Sequence, residues 1–173
     1  MTVVSDAGPL MALAKVGGLA ALFRVFPRVL TPPAVYEELV TAGLRLGAPD
    51  AVLLEARYRS RELQVLSPAG TTLPAPTRLG PGEEQSILLA IEQKAAWLLI
   101  DDLDARRAAQ ANLVAAGAET GLKGTLGVIL AAHTLGHLSM QEATGLVEAL
   151  RERPDIWISA GLCDRALDLL KEE

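Results

Sequence analysis

Two spacings of apolar residues alternate along this chain. Short runs without polar interruption fit buried strands, and longer stretches with apolar residues every three to four positions fit helices. Val3-Val4-Ser5 is a β-branched run that stops at Asp6, and Ala7-Gly8-Pro9 reads as a turn after it. PLMALAKVGG then has helical spacing closed by Gly17-Gly18, and LAALFRVF is a second helical piece that stops at Pro27. Arg28 to Thr31 reads as a strand. Pro32-Pro33 opens the helix AVYEELVTAGL, where a first-turn proline loses no hydrogen bond. Residues 50–59 continue as helix, and Leu63 to Leu66 as strand. After an irregular stretch come the helix GEEQSILLAIEQKA, the apolar strand AWLLI and a helix following Asp101-Asp102. LGVILAAHTL, MQEATGLVEALRE and CDRALDLLKEE make the C-terminal part, residues 121–173, mostly helical.

Strands alternating with helices predict a parallel sheet covered by helices, an α/β fold. With 173 residues the chain suits one domain, spanning 1–173. Residues 67–81 contain Pro68, Pro74, Pro76 and Pro81 and read as a long loop inside that domain rather than a linker, because the alternation resumes after it. A connection of this length can gate a cleft.

Composition narrows the function. Half the residues are hydrophobic, which excludes a disordered chain. The 21 acidic residues outnumber the 16 basic ones, which argues against a basic patch that binds nucleic acid unaided. Phe23, Phe26, Tyr36, Tyr58, Trp97 and Trp157 are the whole aromatic set, so base-stacking platforms are not expected. One cysteine, Cys163, cannot make an internal disulfide, and the longest apolar runs are far shorter than the roughly 20 residues that cross a bilayer. With no secretory signal in view, the reading is a cytoplasmic protein without membrane association.

The acids sit at special places. Asp6 follows the first strand, and Asp101-Asp102 follows AWLLI. In a parallel sheet the carboxyl ends of strands line the ligand crevice, so these aspartates can converge there. Glu37-Glu38 lies one turn into its helix, and Glu83-Glu84 in the first turn of another. Converging carboxylates repel unless neutralised, and hard divalent cations such as Mg²⁺ or Mn²⁺ accept oxygen ligands. Each acid also has a plain role. Glu83 and Glu84 suit the positive end of a helix, Asp102 suits a helix cap, and one of Glu37 and Glu38 must face solvent.

These residues resemble the PIN-domain family. VVSDAGPLMALAKVG is similar to its opening, where an aspartate ends the first strand. VLTPPAVYEEL is similar to its second element, whose glutamate comes three residues after a valine, here Glu38 after Val35. GEEQSILLAIEQKAAWLLIDDLDARRAA resembles the third and fourth elements, and GTLGVILAAHTLGHLS the C-terminal signature of a bacterial and archaeal branch related to VapC-type toxins. The resemblance implies a three-layer α/β/α sandwich with a mostly parallel central sheet. It implies a metal-dependent endoribonuclease, the toxin of a type II toxin–antitoxin pair, that acts on RNA with Mg²⁺ or Mn²⁺, forms a homodimer and receives an antitoxin protein. Its acidic quartet falls on Asp6, Glu38, Glu83 and Asp102, with Glu84 and Asp101 as alternates. Many members carry serine or threonine two residues after the first aspartate. Here Gly8 stands there and Ser5 lies on the other side, which leaves a non-catalytic PIN scaffold that binds protein or RNA as the alternative. A receiver-like or phosphatase-like domain is disfavoured, because the paired aspartates come late in the chain.

Other pairs carry less. His133 and His137 are four apart, but Gly136 between them reads as a helix end, and no third zinc-type ligand is evident. Thr125 reads as the cap of the helix LGVILAA, with a cleft role as the weaker option. One of Arg106 and Arg107 can approach an RNA phosphate. Lys15 and Lys123 are open in the same way. LAALFRVF is apolar on more than one face, which suggests a packed or partner-covered surface.

Overall fold

The computed structural model describes residues 1–172, so the predicted helix end at Glu173 lies outside the described residues. Five parallel strands form one sheet in the order β3-β2-β1-β4-β5: β1 (Val3–Ser5), β2 (Val29–Thr31), β3 (Leu63–Val65), β4 (Trp97–Leu99) and β5 (Gly121–Lys123). Nine helices occupy the described residues. They are α1 (Ala7–Val16), α2 (Leu19–Val25), α3 (33–45), α4 (Pro49–Arg59), α5 (Pro81–Glu92), α6 (Leu103–Ala115), α7 (Thr125–Thr134), α8 (Met140–Glu152) and α9 (Ala160–Glu172). None is long and apolar enough to cross a membrane.

The three layers follow from the period of two along each strand. In β1, Val3 packs into one core with α1, α2 and the C-terminal helices, and Val4 into another beneath α5 and α6. In β4, Leu99 and Leu98 divide the same way. This is the three-layer α/β/α sandwich expected. The chain runs outward from β1 to β2 to β3, then crosses back so that β4 pairs on the other side of β1, with Ser5 opposite Leu99. Such a reversal opens a crevice beyond the carboxyl ends of the two strands that flank it. Asp6 and Asp101-Asp102 stand at those ends.

Several local expectations change. Ala7-Gly8-Pro9 is not a turn. It is the first turn of α1, where proline and the unpaired N–H groups are both tolerated. Residues 33–45 are not a uniform α-helix, because Glu37–Ala42 form a π-helical segment between two α-helical ones. The part from residue 121 opens on a strand. β5 has one apolar residue and no alternation, so it shows no strand pattern. It exists because it pairs with β4, and an added Cβ on Gly121 would sit 2.5 Å from the Trp97 ring. The stretch 67–81 has no regular structure as far as Gly80; Pro81 already begins α5, and Gly80 and Pro81 border the crevice while the rest of the stretch lies away from it. Ala69 and Gly70 donate N–H groups to the Glu92 carboxylate, and Ala75 donates to Asn112 Oδ1, which ties the connection to α5 and α6. The apolar surplus of α2 is absorbed within the chain: Leu19, Ala21, Leu22 and Phe23 are buried, and the Arg57 guanidinium lies 5.5 Å from the centre of the Phe23 ring.

Candidate active site

The crevice is a cleft of about 430 Å³ whose wall includes Asp6, Glu38, Glu83, Asp101 and Asp102. All four members of the expected acidic quartet therefore line one cavity, and Asp101 joins them.

Asp6 is placed by the sheet. Its backbone N–H donates to the Leu99 carbonyl at 2.9 Å, and its extended backbone makes it the residue before α1. Its carboxylate makes no regular capping bond, though the N–H groups of Ala7 and Gly8 favour its ionised form, and the residue is only 8% exposed. Ser5 does not support that carboxylate, because its hydroxyl donates to the Asp6 main-chain carbonyl instead. Gly8 faces the Asp101 side chain, which a Cβ at that position would touch at 3.7 Å.

Glu38 lies in the π-helical segment of α3, a rare winding that often marks functional sites. Glu37, its neighbour, does not line the cleft. Opposite stands the start of α5. A Cβ on Gly82 would lie 3.4 Å from Glu38 Oε2 and 3.5 Å from Asp6 Oδ1, so glycine keeps clear the space where these two carboxylates converge.

Glu83 and Glu84 part company. Glu83 Oε2 accepts the Gly80 N–H at 3.0 Å, which stabilises the first turn of α5, and its side chain borders the cleft. Glu84 accepts the Thr77 hydroxyl at 3.2 Å and lines a separate hollow with Ser67, Pro68 and Thr71.

Asp101 and Asp102 divide as well. Asp102 Oδ1 accepts the Ala105 N–H at 2.8 Å, so it caps α6 while it lines the cleft. Asp101 accepts two bonds from Thr125: the backbone N–H at 2.7 Å and the hydroxyl at 2.6 Å. Thr125 is thus not the cap of α7. Gly124 holds that position, and an added Cβ there would come within 2.8 Å of Asp101 Oδ1. Arg106 donates to the Ile100 carbonyl at 2.8 Å, and its charge favours ionised Asp101. Arg107 instead pairs with exposed Asp104. Replacing Thr125 by valine removes one charge-assisted donor without changing shape. Denaturant unfolding near neutral pH should show a loss of about 1–3 kcal/mol, and an unchanged midpoint would refute this account of Asp101.

Sequence reasoning missed the remaining wall. Asp155, Ile156, Trp157 and Ile158 return from the segment between α8 and α9 to border the cleft beside Met11 and Ala12. No local pattern announces this. His133 and His137 lie elsewhere. His133 Nδ1 is 3.0 Å from the Leu138 carbonyl oxygen, and His137 follows Gly136, whose φ of 75° ends the helical run. Lys15 pairs with Asp155, and the Lys123 ammonium lies 4.3 Å from the centre of the Trp97 ring.

A PIN-domain family model matches residues 2–172. The chain belongs to the PIN-domain family. No curated protein and no solved structure matches it. Membership gives this PIN domain a nuclease-type function in general, with nucleic acid as ligand and divalent metal as the typical cofactor of the fold.

Electrostatics fit that chemistry. Burial pushes Asp6 up to about 7, helped by repulsion from Glu83 and Glu38 and resisted by the N–H groups of Ala7 and Gly8. Glu38 is raised by burial and then by the Glu83 charge. Asp101 is raised by burial against the pull of Thr125 and Arg106. Among the described residues no three of the acids, histidines and cysteine are gathered as a ready ligand group. Yet Asp6 and Glu38 present hard oxygen donors across a gap that a Cβ would fill, and neighbouring acids disfavour their joint ionisation without a cation. Such donors fit a hard divalent ion.

Proposed function

We propose that this PIN domain is an endoribonuclease that depends on Mg²⁺ or Mn²⁺. Asp6, Glu38, Glu83 and Asp102 would hold the ion or ion pair, with Asp101 as the alternate to Asp102. The observation that carries this reading is the convergence of Asp6 and Glu38 over Gly82 in a cleft at the point where the sheet order reverses. When bound, the divalent ion supplies positive charge that stabilises the phosphodiester and its leaving oxygen.

The chain's own groups orient and exclude. Asp6 is held in place by its main-chain bond to β4, and Asp101 by Thr125. Met11, Ala12, Ile156 and Ile158 give the cleft an apolar wall that limits water beside the carboxylates. Arg106, fixed on the Ile100 carbonyl, lies beside this site, while Arg107 is occupied with Asp104.

The acid excess becomes consistent with a nucleic-acid ligand on this reading. Setting the four proposed ligands aside leaves the 16 basic residues nearly balanced, so much of the net charge of −5 is one pocket. RNA binding should accordingly require divalent metal. The test is cleavage and retention of a labelled RNA by the purified protein with Mn²⁺ and with a chelator. Metal-dependent cleavage is expected, and equal behaviour in both buffers would sink the reading.

We further assign the protein a role as the toxin of a type II pair, cytoplasmic, dimeric and met by an antitoxin protein. Exposed Leu44, Leu46, Val52 and Leu53 around the α3–α4 turn support a partner-covered surface. A non-catalytic scaffold is the second reading. It draws on the helix-stabilising bonds that already engage Glu83 and Asp102. Calorimetric titration with Mn²⁺ separates the two, since a scaffold would show no binding heat.

A further inference from the structure

Trp157 is 98% exposed, in a chain with only two tryptophans, and it borders the acidic cleft. A fully exposed indole offers a large apolar aromatic area that a partner gains by covering. The flanking Ile156 and Ile158 are partly buried against the core, while Trp157 between them stands in solvent. One residue further back, Asp155 is gripped by Arg153 through Nε and a terminal nitrogen, both at 2.9 Å, and by Lys15 of α1 at 2.9 Å. The short segment thus contacts both α1 and the core on either side of the exposed ring. An aromatic face beside a cleft that would hold a phosphodiester through divalent metal matches an unpaired nucleobase, whose own π-face stacks without regard to base identity.

We propose that Trp157 is a positioning residue: a stacking platform for a nucleobase of single-stranded RNA whose backbone lies along the acidic cleft. The inference rests on the nuclease reading for what occupies the cleft. It departs from the expectation, drawn from the small aromatic set, that the chain offers no such platform. Stacking on Trp157 selects unpaired over duplex RNA, because a paired base has no free face.

The experiment titrates the full chain, in Mg²⁺, with a short cleavage-resistant phosphorothioate RNA and with an abasic strand of equal length, and follows tryptophan emission. Quenching by the base-bearing strand and not by the abasic one is expected. Trp157→Ala should weaken binding of the base-bearing strand roughly tenfold, leave the abasic strand unaffected and raise KM for cleavable RNA more than it lowers kcat. Trp157→Phe should restore most of the affinity. Equal quenching by both strands, or equal affinity of wild type and Trp157→Ala, overturns the proposal. So does an emission shift with protein concentration alone, which would mean that a second copy covers the indole. Cleavage by wild type with unaltered KM in Trp157→Ala would overturn the platform alone, whereas base-dependent quenching without cleavage would support the platform and sink the nuclease reading.

Discussion

Asp6→Asn is expected to cut Mn²⁺-dependent RNA cleavage by roughly 10³-fold, about 4 kcal/mol of transition-state stabilisation, while making the metal-free protein more stable. The two effects have one cause. The Asp6 carboxylate is buried at the mouth of the sheet and faces Glu83 and Glu38, so its charge is uncomfortable without a cation. Asparagine keeps the shape and the main-chain bond to Leu99 but carries no charge. Near neutral pH the variant should gain about 1–3 kcal/mol against denaturant in chelator, and the gain should vanish when Mn²⁺ stabilises wild type alone. Loss of activity together with loss of stability would mean that Asp6 is a structural residue and not a ligand.

The stability of the metal-free protein should fall as pH rises from about 4 to about 7. Asp6 is the group concerned, and the sign follows from its raised value. Between the ordinary carboxylate range and about 7, the folded protein keeps a proton on Asp6 that the unfolded chain has released. Folding then binds protons, so alkali opposes it, and the loss is complete only above the folded value. Glu38 adds in the same direction. The full shift corresponds to about 4 kcal/mol, and relaxation of the cleft should reduce the measured drop to roughly 2–3 kcal/mol. Divalent metal at 100 times its dissociation constant should return about 2.7 kcal/mol at neutral pH and progressively less below pH 6, where protons compete for the same oxygens. Urea midpoints across this range, with chelator and with Mn²⁺, measure both. A flat profile in chelator would show that burial and the neighbouring charges do not hold a proton on Asp6 and Glu38.

The element pattern was legible because it is a local matter. Val3-Val4 and Leu98-Leu99 announce strands by apolarity alone, and Pro33 opens a helix where a missing donor does no harm, whereas Pro81, read as the end of the loop, is the first residue of α5. Gly17 closes α1 with a φ of 76° that few other residues adopt. β5 was illegible because Gly121-Leu122-Lys123 lacks any alternation, and only β4 and the Trp97 ring make it a strand. The π-helical segment was hidden for a related reason, since its spacing differs little from that of an α-helix over six residues.

For the candidate site, the chain on its own determined which acids stand at strand ends and helix starts, and so which could meet. Tertiary structure decided their partners. It turned Glu84 to Thr77 and left Glu83 at the cleft, gave Asp101 to Thr125, and set Gly82 between Asp6 and Glu38, whereas the cap that Asp102 makes on α6 is local and was read from the chain. It also brought Trp157 to the acids from the far end of the chain. The physical reason is range. Periodicity and capping act over a few residues and are written in neighbouring positions. Which oxygen faces which donor depends on how helices pack across the sheet, a sum of many distant contacts that no single stretch encodes.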